Sequence, residues 1–181
     1  ALGYPEHIVI DEGHSAGRRL RDYAQFDAPD DPRNALLVEC GQHWEKAAPE
    51  IARQSTLRFL RHFGMVDPGF LDAHLDPAPR PPQQVIEVTA AVTIRTDRFV
   101  FALPVQGLAT VPAAGTLLAR DGDGEVRTPY DHCVLIMPTR RPKVGETAVR
   151  LGRHRTEARR RRRPGAEIGP EDGVARPFAI K

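Results

Sequence analysis

The chain is predicted to fold as an α/β portion followed by a small all-β domain, sandwich or barrel-like. Three observations predict this. The apolar run Ala35-Leu36-Leu37-Val38-Glu39-Cys40 ends at Gly41 and is followed by a long stretch of helical apolar spacing. Residues 65–84 carry five prolines and mark a boundary. Beyond them, short apolar runs alternate with Gly- and Pro-containing turns, the pattern of a small β-domain.

Taken in order, Ile8-Val9-Ile10 reads as a short strand ending at Asp11-Glu12-Gly13. Residues 17–26 form a polar loop or short helix, and 27–34 a turn-rich connection. Residues 35–40 read as a buried strand. A helix follows over about 44–63, with Ala48, Ile51, Ala52, Phe59, Leu60 and Phe63 on its apolar stripe. Pro49 falls in its first turns, and Gly64 is its stop. The prolines of 65–84 argue against regular structure there. Strands are expected over 85–94, 99–103, 116–120, 125–128 and 133–137, with Thr96-Asp97 and Asp121-Gly122-Asp123-Gly124 as turns. The expected division is 1–64, linker 65–84, β-domain 85–152 and a basic, flexible tail 153–181.

Composition bounds the function classes. The 181 residues suffice for one full core or two small domains, and 40% hydrophobic with 28% charged residues is ordinary for a soluble globular chain. No run has transmembrane length and no secretory pattern opens the sequence, so no membrane partner is expected. Cys40 and Cys133 each sit in an apolar run and read as buried free thiols, which points to a cytoplasmic location. The net charge of +2 is local to the tail: the segment from Arg153 to Arg163 includes the run Arg159-Arg160-Arg161-Arg162-Arg163, and the remainder is slightly acidic. No aromatic residues interleave with that run, so a solvated tail is the stronger reading and nucleic acid is not an expected partner.

Glu39 stands out as a site candidate. It is the only acidic residue in its apolar run, at the carboxyl end of the predicted strand, where open α/β sheets collect ligands. Partial desolvation there would raise its pKa toward the range useful for proton transfer. The competing reading is a strand-end carboxylate paired with an arginine such as Arg33. His43, two residues past Gly41, points into the cleft or onto the helix start, with the cleft favoured. Asp11 and His14 have the spacing of a ligand pair, yet no later strand supplies a third partner, so His14 reads as a loop or supporting histidine. His62, on the helix, reads as exposed.

The segment Val38-Glu39-Cys40-Gly41-Gln42-His43, followed by a long helix and a Pro-rich link into a β-domain, resembles the succinylglutamate desuccinylase/aspartoacylase family. Gly17-Arg18-Arg19-Leu20-Arg21-Asp22-Tyr23 also fits its bacterial members. The resemblance spans about residues 4–152. It implies a zinc hydrolase with a partial carboxypeptidase-like domain, cutting an acyl group from an amino acid or similar amide. It makes Glu39 the general base and then the general acid, acting on a water whose pKa zinc lowers to about 7. In the family the zinc is held by His-x-x-Glu and a later His, all upstream of the matching segment, and no His-x-x-Glu precedes Glu39 in this chain. The chain thus resembles the C-terminal portion of such an enzyme, with zinc ligands expected upstream and none assigned here.

The implied substrate is a small acidic acyl-amino acid, and a bidentate arginine is the natural partner for its carboxylate. Arg21 is the first candidate and Arg18 the reserve; a solvated basic loop paired to Asp22 is the alternative. Half an α/β domain would also leave an open sheet edge and an uncovered apolar face, which implies pairing between chains. The spacing over 107–138 further resembles biotinyl/lipoyl carrier barrels, but the hairpin at 121–124 lacks their lysine. Against the hydrolase stands a non-catalytic binding or interaction module without a metal site.

Overall fold

Strand β8 (Thr147–His154) is hydrogen-bonded on both edges, antiparallel to β2 (Gln84–Thr93) on one side and to β7 (Cys133–Ile136) on the other. The computed structural model describes residues 2–11, 19–28, 31–42 and 44–155. These fall into two units, one of residues 2–9 and 19–84 and the other of residues 10–11 and 85–155. The tail candidate Arg159–Arg163 lies outside the described residues.

In the second unit, β7 also pairs antiparallel with β4 (Thr110–Val111), so the larger sheet runs β2-β8-β7-β4. The end of β1 (His7–Ile10) adds Ile10 to this unit at the outer edge beside β2. A second, three-stranded sheet runs β3-β5-β6, from β3 (Val100–Phe101), β5 (Leu117–Asp121) and β6 (Gly124–Arg127). Both sheets feed one core. Val111, Leu118, Cys133, Leu135, Val149 and Leu151 are buried together, with Phe101 and Val126 packed against them. All four residues of β7 are buried, which fits an apolar run without polar alternation.

The β5–β6 hairpin closes through Gly122-Asp123, with Asp121 paired to Gly124 and Gly122 at φ +62°, a conformation glycine adopts without Cβ strain. Asp121 then holds the turn after β2: its carboxylate accepts from the Arg95 and Thr96 N–H groups at 2.7 and 2.9 Å and from the Thr96 hydroxyl at 2.7 Å. These bonds hold its carboxyl below the ordinary range, the Thr96 hydroxyl contributing most.

The five β runs expected in this region correspond to β2, β3, β5, β6 and β7. Strands β4 and β8 were not expected. β4 has only two residues, and β8 carries Arg150, Gly152, Arg153 and His154 through its length, which breaks its apolar alternation. The expected tail therefore begins inside a strand, since Arg153 and His154 pair with Glu87 and Ile86.

In the first unit, α1 (Ala48–His62) starts four residues later than expected because residues 44–47 form turns, Glu45 N–H donating to Gln42 O and Ala48 N–H to Glu45 O. Pro49 sits in the first turn, where its missing N–H leaves no bond unmade, and Glu50 beside it suits the positive end of the helix. Gly64, at φ +63°, ends the helix: Met65 N–H reaches Leu60 O at 3.0 Å and Gly64 N–H reaches Arg61 O at 3.1 Å, the paired bonds of a Schellman stop.

Two expectations fail in this unit. The linker 65–84 was read as excluding regular structure, yet it contains α2 (Pro68–His74). Asp67 caps that helix by accepting from Phe70 N–H at 3.0 Å, and Pro68 occupies a first-turn position that needs no N–H donor. Residues 35–40 were read as a strand and form none. Their side chains alternate in exposure from Leu36 to Cys40, but a strand exists only through its ladder. Among the described residues no other strand pairs with them, so the α/β character described for 1–64 reduces to β1 and α1.

Gln54, 1% exposed, fastens α1 to the end of α2. Its amide nitrogen donates to Glu50 Oε1 at 3.0 Å and to His74 O at 3.2 Å, while its oxygen accepts from Asp76 N–H at 3.2 Å. A polar side chain is tolerated at full burial because its donors and acceptor are met.

Gly152 faces both Val88 and Val134 in the ladders, and a Cβ there would stand 2.7 Å from Ile136 Cδ1, 2.9 Å from Ile86 Cγ2 and 3.0 Å from Glu87 O. Gly152→Ala is therefore expected to destabilise the fold by about 1–3 kcal/mol. Denaturant unfolding should show a lower midpoint at unchanged slope.

Candidate functional site

The site expectations centre on residues 31–45, which link the end of the second 3₁₀ turn to α1. Two such turns, Leu20–Asp22 and Ala24–Asp27, precede this segment. Glu39 is exposed to solvent, so the partial desolvation expected of it is not found. Among the described residues its side chain has no hydrogen-bond or ion-pair partner. The adjacent Cys40 thiol is pushed up, first by burial and then by the negative charge of Glu39. Cys40 is half-buried and Cys133 fully buried, and both are free thiols.

The competing reading, Glu39 paired with Arg33, is overturned. The Arg33 guanidinium is taken by Asp31 in a two-pronged pair, Nε to Oδ1 and Nη2 to Oδ2, both at 2.7 Å, with Arg33 N–H also donating to Oδ1 at 2.9 Å. These bonds hold the Asp31 carboxyl down at about 2, the side-chain bonds contributing most and the backbone bond next. The sequence offered a signal for this in the Asp31-Pro32-Arg33 spacing.

Just past Glu39 the chain turns sharply. Gly41 has φ +106°, and a Cβ there would stand 2.6 Å from Glu45 Oε2. That carboxylate accepts from Gln42 N–H at 3.2 Å, so Glu45 folds back over the turn ahead of α1. Sequence reasoning passed over Glu45; its signal was the Gly-x-x-x-Glu spacing. The turn presents Glu39 on its exposed side, and a solvent-facing carboxylate not engaged by a described cation is chemically able to accept and return a proton.

Arg21 has a side chain 8% exposed, with Nη2 3.1 Å from Asp22 Oδ1. Arg19 also binds Asp22. The pairing to Asp22 that sequence offered as the alternative is thus present, though the arginine is enclosed rather than solvated. The structure does not join Arg21 to Glu39 by an ion pair. Arg18 and His43 lie outside the described residues, as does His14. Asp11, which has ligand-pair spacing with His14 in the sequence, is ion-paired with Arg150 at 3.1 Å. His62 is exposed on α1, as expected, with its ring against Phe63.

Among the described residues no three or more His, Cys, Asp or Glu converge to hold a metal ion, so they do not fit one. No described helix is long and apolar enough to cross a membrane.

No protein family and no curated protein sequence matches the chain. Solved structures do. The X-ray structure of succinylglutamate desuccinylase from Vibrio parahaemolyticus matches with a TM-score of 0.55 and 16% identity, over 84% of this chain and 42% of that one. The chain thus shares the fold of part of that enzyme and spans less than half of its length. Succinylglutamate desuccinylase from Vibrio cholerae aligns at a TM-score of 0.41 and 16% identity, over 59% of this chain and 30% of that one, too low to add weight. Fold likeness at this identity establishes architecture and leaves chemistry to the site residues.

The Asp31–Arg33 pair yields a pH expectation. The folded carboxyl lies below its unfolded value of about 3.9, so its contribution is complete above that value and fades as pH falls toward 2. An NMR titration should find the Asp31 midpoint near 2. In Arg33→Ala it should return to the ordinary carboxylate range; an unchanged midpoint would show that another group holds it down.

Proposed function

We propose that this chain is the portion of a zinc-dependent hydrolase that carries the proton-transfer carboxylate and a β-domain. The enzyme would cleave the acyl group from an N-acyl amino acid or a related amide. The observation that carries this reading is the fold likeness to part of a succinylglutamate desuccinylase over 84% of the chain, with Glu39 set solvent-facing at the Gly41 turn. In this reading zinc is held by residues other than the described ones, and it would supply an activated water.

The work of Glu39 is proton transfer. Its carboxylate takes the proton of the attacking water and returns it to the leaving amine nitrogen, so that the amine departs neutral. Arg21 is proposed to bind a substrate carboxylate. That role requires its guanidinium to be shared with Asp22 or released from it, because the two are already paired. The substrate class is therefore an acyl-amino acid with a free carboxylate, of which N-succinylglutamate is the first to test.

Hydrolysis is to be measured with the zinc-bearing portion supplied. Glu39→Ala is expected to lower kcat by about 10²–10⁴-fold with zinc content unchanged. Full turnover in that variant would remove Glu39 from the chemistry. Elemental analysis of the 181-residue chain alone should find no stoichiometric zinc. One zinc per chain would place the ligands within it and overturn that part of the proposal.

Arg21→Ala is expected to raise KM for substrates with a free carboxylate while leaving KM for their amides unchanged. Equal effects on both would assign Arg21 to holding its turn through Asp22.

A further inference from the structure

The carboxylate of Glu45 holds backbone rather than a cation. Among the described residues no lysine or arginine pairs with it. It accepts from Gln42 N–H at 3.2 Å, while Glu45 N–H donates to Gln42 O at 2.9 Å. One residue thus meets both backbone groups of Gln42. The side-chain bond is the return arm of a capping box, here closed on the turn ahead of α1. Gly41 makes room for it. Its φ of +106° is a backbone shape that side chains rarely adopt, and a Cβ there would stand 2.6 Å from Glu45 Oε2. Gly41 and Glu45 are therefore one device, the missing side chain being the space through which the carboxylate reaches the backbone. On the upstream side, Cys40 Sγ lies 3.8 Å from Val38 O. Glu39 sits between these two local contacts.

We propose that Glu45 is the positioning residue for Glu39. By closing the turn it fixes the course of the chain from Gly41 onward, and so the place that the Glu39 carboxylate occupies. This assignment rests on the hydrolase reading of Glu39. The energetics set positioning apart from simple support of the fold. A carboxylate bound to a backbone N–H makes a charge-assisted bond. Glu45 is nevertheless exposed, and water takes up an N–H that it releases, so its loss changes stability little. Proton transfer is less forgiving. Donor and acceptor must meet within about 2.6–3.2 Å, and a misplacement of about 1 Å costs on the order of 10²-fold in rate.

Turnover is to be measured with the zinc-bearing portion supplied. Glu45→Ala is expected to lower kcat by about 10–10²-fold, with KM and the denaturant midpoint unchanged. Glu45→Gln keeps an oxygen that can accept from Gln42 N–H and should restore most of that loss. In a Glu39→Ala background, Glu45→Ala should cost nothing further, because a residue acting only through Glu39 has nothing left to place. Amide hydrogen exchange of the 181-residue chain, read by NMR, should be faster at Gln42 in Glu45→Ala and unchanged in Glu45→Gln. Wild-type kcat in Glu45→Ala beside an inactive Glu39→Ala overturns the proposal and leaves the hydrolase reading standing. So does a Glu45→Gln as slow as Glu45→Ala, a loss that persists in the Glu39→Ala background, or exchange at Gln42 that is indifferent to Glu45. Full turnover in Glu39→Ala ends the hydrolase reading and this assignment together, and that single variant tells the two failures apart.

Discussion

The β-unit depends on one strand being satisfied on both edges. β8 shares ladders with β2 and β7, and Gly152 is the residue at which all three backbones come close. Without a side chain there, Ile136 and Ile86 meet across the strand and Glu87 O can approach. The buried set from β4, β5, β7 and β8 then closes over Cys133, Leu135 and Val149. A residue with a Cβ in that place would push on two side chains and a carbonyl that have little room to retreat, since protein interiors pack near crystalline density.

The first unit is held together differently. Its central helix buries Gln54 and Ser55 at full depth while Phe63 and Met65 remain exposed. Hydrogen bonds tie α1 to the end of α2: Arg53 and Gln54 donate to His74 O, and the Gln54 oxygen accepts from Asp76 N–H. Such a junction specifies geometry well and contributes modest stability, because each bond replaces one made to water.

Glu39 draws its interest from this contrast. It follows an aliphatic run, precedes a turn that only glycine accommodates easily, and faces solvent, while the neighbouring arginines are committed to Asp31 and Asp22. The likeness to part of a desuccinylase is one of architecture, and among the described residues no side chains assemble a metal centre.

Much of the architecture was legible from the residues alone because it rests on local rules. The helix stop at Gly64, the tolerance of Pro49, the 121–124 hairpin and the buried run of β7 follow from backbone preferences and apolar pattern over a few neighbours. Other features depend on what lies across from a segment. The run 35–40 has every local mark of a strand and forms no ladder, because pairing is a property of two segments and one sequence window shows only one of them. β8 is the converse, its apolar residues interrupted by Arg150, Gly152 and Arg153 yet central, because β2 and β7 supply its bonds. The Asp31–Arg33 and Arg21–Asp22 pairs are local, between near neighbours in sequence, whereas the hold of Asp121 on Arg95 and Thr96 emerged only once the chain had folded back. Side-chain partners are chosen by distance in space, and distance is the quantity that sequence spacing does not carry.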